Sequence, residues 1–280
     1  METRGDLLIE LEKIKKWEKE QKDLWFWEKL GRIPFKLLDR VTPSFVHEKV
    51  GQALDEVGNY IQTGGRYLIS EQEVLRRFPM HTEEKDAAVE PLRVEDVAQR
   101  SLQDMNRVAE ELRGSRAKIA TFQGATTGIG GIFTLAVDIP ALLGLSLKVL
   151  QEIAIAYGYD PKQRDERLFV VKCLQFASSD IVGKQAIIDE LFDYEAGKRG
   201  VQTISQLQGW REVVMAYRDN FGWKKLFQLV PVAGIIFGAY LNKSTVEDVA
   251  EAGMMLYRKR RILEKLEHIS DEWEQPTPLN

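Results

Sequence analysis

The stretch that decides the fold is residues 119–150, IATFQGATTGIGGIFTLAVDIPALLGLSLKVL. It carries charge only at Asp138 and Lys148. Ala120, Gly124 and Gly128 recur every fourth residue, Gly130 and Gly131 follow, and Asp138-Ile139-Pro140 interrupts the apolar run. A second segment, Leu226–Leu241 (LFQLVPVAGIIFGAYL), repeats the device with Gly234 and Gly238 four apart. Glycine in a helix interior costs about 1 kcal/mol relative to alanine, so its repetition on one face points to close approach of two helix backbones. The spacing predicts that the two segments pack together through Gly124, Gly128, Gly131, Gly234 and Gly238. Pro231 would kink the second helix or mark its first turn.

Neither segment reads as an autonomous membrane span. In residues 129–147 the large aliphatic and Phe side chains contribute roughly −3 to −6 kcal/mol on an insertion scale, and Asp138 returns about +3. Leu226–Leu241 would make about 24 Å of helix against a hydrocarbon core of about 30 Å. As a hairpin pair they could insert, with flanking lysines such as Lys224 and Lys225 reaching the interface. A buried helical core and conditional insertion both remain open.

Outward from these segments the chain reads as helix after helix. Leu7, Leu11, Ile14 and Trp17 mark a helical stripe that continues to Leu24 and Trp25. The aromatic cluster with Trp25 and Trp27 could seal a core or anchor at a membrane interface. Thr42-Pro43 opens a helix whose face is Val46, Val50, Leu54, Val57 and Ile61, closed by Gly64-Gly65. Ser70-x-x-Glu73 is a capping box. A polar connector over 78–91 precedes a long helix from Leu92 with Val94, Val97, Ser101, Met105, Val108 and Leu112 on one face, which pauses at Gly114 at most.

Asp138 or Ile139 is expected to cap a new helix that ends at Gly158, and Asp160-Pro161 to start the next. Further helices are expected over 180–198, 203–220 and 223–241. A second capping box, Ser244-x-x-Glu247, opens a last helix, and the acidic tail after Ser270 frays. No run alternates with period two, so the fold class is all-α: a multi-helix bundle with two glycine-rich apolar helical segments packed together. The domains are an amphipathic helical arm (1–40), a helical body (41–268) and a disordered tail (269–280).

Composition bounds the function. The chain has 280 residues, 44% hydrophobic and 29% charged, with a net charge of −4, one cysteine and three histidines. That excludes a disulfide framework and a cysteine-rich zinc site, and gives no general attraction to nucleic acid. His47, His81 and His268 have no partners at metal-ligating spacing, so no metal and no cofactor is expected. No nucleophile elbow, phosphate loop, dinucleotide fingerprint or kinase set occurs. The N-terminus lacks the apolar core of a secretory signal, which places the chain in the cytoplasm, peripheral to the cytoplasmic membrane or conditionally inserted in it.

Two polar residues stand out. Asp138 is either a helix cap or a carboxylate lining a pocket, where it could serve a hydrolase or bind a cation. Asn242 either ends a helix or contacts a ligand. The basic run Tyr257–Arg261, with Arg258, Arg260 and Arg261, reads as a solvated helix face or as a contact for anionic lipid headgroups.

The combination of residues 124–161 with residues 229–261 resembles the EcsC protein family. The resemblance rests on the glycine run, Asp138 with Pro140, the Tyr157-Gly158-Tyr159-Asp160 turn, the Pro231 to Asn242 segment and Tyr257-Arg258-x-Arg260. It covers most of residues 40–265. It implies association with a membrane and a link to an ABC transporter connected with protein secretion, whose gene lies beside that of the founding member. It implies no catalytic residue. The resulting expectation is a non-enzymatic accessory protein with a membrane surface, lipid, transporter or other envelope protein as partner. The alternatives are a soluble helical protein with a lipid-binding apolar pocket and a hydrolase that uses a buried Asp138.

Overall fold

The computed structural model describes residues 2–21, 44–64, 69–79, 91–128, 132–179, 181–192 and 231–274. In chain order the helices are α1 (Arg4–Glu20), α2 (Ser44–Thr63), α3 (Glu71–Leu75), α4 (Val94–Val97), α5 (Leu102–Gly128), α6 (Ile132–Ala156), α7 (Arg164–Ser178), α8 (Ile181–Phe192) and α9 (Pro231–Glu274). No strand occurs among the described residues, and the all-α expectation holds.

Three long helices form the frame. Tyr157 donates to Asn106 at 2.7 Å, Arg116 pairs with Glu152, and Gln123 reaches Asp138, so α5 and α6 run antiparallel. Asn242 meets Asp138, Gly253 packs on Leu150, and Arg261 meets the carbonyl of Tyr157, so α9 runs parallel to α6. Their facing sides carry Met105, Val108, Leu112, Ala120, Leu143, Leu147, Leu150, Ile153, Val246, Val249 and Leu256, all nearly or fully buried. Each large apolar side chain of this set contributes roughly 1.5–3 kcal/mol on burial.

α1 lies along α9 in the opposite direction. Its predicted stripe is real: Leu7, Leu11, Ile14 and Trp17 are the buried residues of the helix. Thr3 caps it, and Trp17 stacks on Phe176 with ring centroids 5.4 Å apart. Charged pairs line the edges of this apolar seam. Lys265 meets Glu2 at 2.7 Å, Arg258 meets Glu10, Lys259 meets Glu18 at 2.7 Å, and Trp17 Nε1 donates to Glu251 at 2.7 Å.

Several helix limits follow the sequence signals. Ser70 caps α3, its hydroxyl accepting from the Glu73 amide. Gly64, at φ +87°, closes α2. Gly158, at φ +80°, closes α6, and the amides of Gly158 and Tyr159 return to the carbonyls of Ile155 and Ala154, both at 2.9 Å. This is the paired C-terminal arrangement that a left-handed residue permits.

Five expectations are corrected. α6 is one helix from Ile132 to Ala156 with Pro140 inside it, so no helix starts at Asp138 or Ile139. Proline there removes one backbone bond, and packing on both flanking long helices outweighs that loss. α9 is unbroken from Pro231 to Glu274, so neither Asn242 nor Ser244 marks a helix boundary. That helix also enters the stretch read as a tail. The long helix from Leu92 is instead two, because the Ser101 hydroxyl accepts from the Asp104 amide at 3.0 Å and starts α5 afresh. α7 begins at Arg164, after a turn in which Asp160 accepts from the Lys162 amide at 2.9 Å. The helix expected over 203–220, the Thr42-Pro43 start and the 78–91 connector beyond Pro79 lie outside the described residues.

Candidate functional site

The glycine-rich end of the frame is where α5 finishes and where α6 and α9 begin. Here Asp138 is 0% exposed, as is Asn242. The Asn242 side-chain amide donates to Asp138 Oδ1 at 2.9 Å, and the Gln123 amide donates to the same oxygen at 3.2 Å. One carboxylate thus collects a donor from each of the other two long helices. A buried carboxylate costs several kcal/mol unless it is hydrogen-bonded. The sequence named two members of this joint. It did not name Gln123, which lies beside Gly124 as a lone amide in a charge-free run.

The outer surface of this end differs from the rest of the frame. The exposed stripe of α5 runs Gln103, Arg107, Glu110, Glu111, Gly114, Lys118, Phe122 and Thr126, at helical spacing. Its charged residues end at Lys118, and Phe122 and the uncharged Thr126 follow. Phe122 is 74% exposed, Ile119 beside it 45%, and Tyr240 on the first turns of α9 66%. Gly124 is buried on α5. Gly128, Gly234 and Gly238 lie within α5 and α9, but their surroundings, and all of Gly131, fall outside the described residues. Trp25, Trp27, Lys224 and Lys225 fall outside them as well.

The glycine whose missing side chain is plainly used is Gly253. A Cβ built there would stand 2.5 Å from Leu150 Cδ2, inside any real contact distance. Gly253 brings α9 onto α6 midway along the frame, and the i, i+4 glycine pattern did not include it.

The opposite end holds the basic run, and it is not the solvated face that was expected. Arg261 is buried, donating through Nε at 2.9 Å and Nη2 at 2.7 Å to the carbonyl of Tyr157 at the end of α6. A cation there satisfies terminal carbonyls and complements the helix dipole. Arg260 holds Glu166 at 2.8 Å, with its guanidinium 4.1 Å from the Tyr159 ring centre and 5.1 Å from that of Phe169. Arg258 is committed to Glu10. These three arginines therefore tie α9 to α1, α6 and α7. Arg167 does the same for α2, donating to the carbonyl of Ile61 at 2.9 Å.

Electrostatics here follow burial. Burial holds the Glu166 carboxyl above its ordinary range, against the opposing pull of Arg260. It also raises the hydroxyls of Tyr60, Tyr157, Tyr159 and Tyr257 and the thiol of Cys173, so all stay protonated near neutrality. Between the two ends, Arg116 grips Glu152 with two bonds of 2.7 and 2.6 Å, both side chains being buried. Its hydrogen bonds to Glu152 hold the Arg116 guanidinium firmly charged.

Among the described residues no group of His, Cys, Asp and Glu could hold a metal ion, and no helix is long and apolar enough to cross a membrane.

Against known proteins, the model of the EcsC protein family matches residues 9–262. The chain is 55% identical over 273 residues to the uncharacterized protein YdbA of Bacillus subtilis, covering 98% of this chain and 99% of that one. It is 30% identical over 169 residues to Protein EcsC of the same organism, covering 60% of this chain and 69% of that one. No solved structure matches.

Proposed function

The chain belongs to the EcsC protein family, and from that premise we propose that it is a non-enzymatic helical accessory protein that works by contact at the cytoplasmic face of a membrane. The observation that carries the reading is the exposed apolar end of the frame. Of the large hydrophobic side chains that stand exposed among the described residues, Ile119, Phe122 and Tyr240 share that end. Exposed aromatic side chains next to a charge-poor surface suit the interfacial zone of a bilayer. An accessory role beside a transporter or another envelope protein follows from the family resemblance and would use the same end.

The interior supports contact more than catalysis. Asp138 is enclosed and engaged with two amides, an arrangement suited to joining helices.

Flotation of the full-length protein with phospholipid vesicles tests the reading. The protein is expected to rise with the vesicles, and Phe122→Ser, at a position 74% exposed, to rise less while melting within about 0.5 kcal/mol of the parent. Protein that stays at the bottom of the gradient with every vesicle composition would sink the proposal.

A further inference from the structure

α1 and the groove beneath it divide their charges by sign. Three ion pairs cross to α9, and each sets an acid of the α1 segment against a base of α9: Glu2 with Lys265, Glu10 with Arg258 and Glu18 with Lys259. These six side chains are 12–22% exposed, so a competing carboxylate can reach the cations from water. The lysines of α1 turn to acids of α1 itself, Lys13 to Glu10, Lys15 to Glu12 and Lys16 to Glu20. One acid of α9, Glu251, meets the seam, where it accepts from Trp17 Nε1 at 2.7 Å and lies 3.9 Å from Arg113. At the far end Lys184 donates to Gln21 at 2.8 Å. Between these polar edges the groove takes Leu7, Leu11, Ile14 and Trp17, with Phe176 under the indole. The joints of the frame, Asp138 with Asn242, Arg116 with Glu152 and Gly253 on Leu150, do not run through α1. A helix of 17 residues is marginal by itself in water, so α1 is held helical by the groove.

We propose that this groove on α9 and α7 is a docking site for an acidic-edged amphipathic helix of a partner protein, and that α1 is its resident occupant, a clasp that leaves before the partner enters. The chemistry of the partner is that of the clasp: an apolar stripe of Leu, Ile and Trp at helical spacing, flanked by carboxylates that meet Arg258, Lys259 and Lys265. This is recognition of a helix in a groove, with the apolar face supplying contact and the edge charges supplying orientation. Clasp and partner compete for the same cations. The apparent affinity for the partner is therefore reduced to the fraction of molecules in which α1 is undocked. Weakening the carboxylates of α1 strengthens partner binding, a sign opposite to that of damage to the fold.

The test uses the full chain and, as probe, a fluorescein-labelled peptide with the sequence of residues 2–21, followed by anisotropy. The parent is expected to capture the peptide, and a chain carrying Glu10→Gln with Glu18→Gln to capture it about tenfold more tightly, from about a threefold effect per partly exposed pair. A peptide carrying Glu2→Lys, Glu10→Lys and Glu18→Lys is expected to stay free. Hydrogen exchange of both chains is expected to show α1 amides exchanging faster than the centres of α5, α6 and α9, and the double variant to accelerate α1 alone. A peptide that neither chain captures, equal capture by the two chains, or capture of the lysine peptide overturns the docking site. Exchange of α1 at the pace of the α9 centre, or acceleration spread over all the helices, overturns the clasp.

Discussion

The side-chain amide of Asn242 lies 2.9 Å from Asp138 Oδ1, a buried contact between residues 104 positions apart that joins α9 to α6. Gln123 gives the same oxygen another donor. Replacing Asn242 by Leu keeps volume but removes one donor from a buried carboxylate, which costs about 1–3 kcal/mol. Adding Asp138→Leu is expected to recover part of that loss, because no buried charge then remains to be satisfied. Chemical denaturation of both single variants and the double variant gives the coupling directly; strictly additive losses would show that the two side chains do not act as a pair.

Arg116 and Glu152 make a different kind of tie. Arg116→Met strands the Glu152 carboxylate at 2% exposure and is expected to destabilise by about 3–5 kcal/mol. Pairing it with Glu152→Leu is expected to return most of the stability. A small loss for the single change, read from urea midpoints, would mean that Glu152 finds water or another cation.

Two glycines are expected to resist substitution for different reasons. At Gly158 a side chain meets the Ala98 amide nitrogen at 2.9 Å and Arg261 Nη2 at 3.1 Å, in a left-handed conformation. Gly158→Ala adds about 1–2 kcal/mol of conformational strain to that clash. At Gly253 the obstacle is the end of a leucine, which can shift, and Gly253→Ala is expected to cost about 1–3 kcal/mol by overpacking. Gly253→Ala combined with Leu150→Ala should cost less than the sum of the two single changes if this contact is the cause. Gly114, whose Cβ would meet nothing within 4 Å, is the control, and Gly114→Ala should be stabilising.

Glu166 sets a pH dependence of known sign. Burial holds its carboxyl above the ordinary value although Arg260 pulls it down. The folded chain therefore binds this proton more readily than the unfolded chain. Stability from this group rises as pH falls from neutral through the folded value, and is lost as pH rises through it. Glu166→Gln does not titrate there. Wild type is expected to gain on Glu166→Gln as pH is lowered toward, but not below, the ordinary carboxylate range. Midpoints that move apart in the other direction would refute the assignment.

The fold was legible where a signal is local. The Leu7, Leu11, Ile14 and Trp17 stripe, the Ser70 cap and the Gly158 turn each depend on neighbours within a few residues, and each is where the sequence puts it. Pro140 and the Ser244-x-x-Glu247 pattern misled for one shared reason. Both are local helix-boundary signals inside helices whose continuity is set by partners far along the chain. Ser244 in fact contacts Asp248, at 3.5 Å, rather than capping anything. The polar joint was half legible: Asp138 and Asn242 are conspicuous in apolar runs, but nothing local says that they meet. The basic run misled because charge suggested water, whereas long arginine side chains were needed to reach the ends of α6 and the carboxylates of α1 and α7.

α9 has a mechanical consequence. Its 44 residues make about 66 Å of continuous helix at 1.5 Å per residue. Tyr240 stands near one end of this rod, while Arg258, Lys259 and Lys265 are gripped by α1 near the other. A rod with no break cannot let its ends move independently. Whatever tilts the α1 clasp swings the Tyr240 end through an arc, and a load on that end is felt as torque on α1.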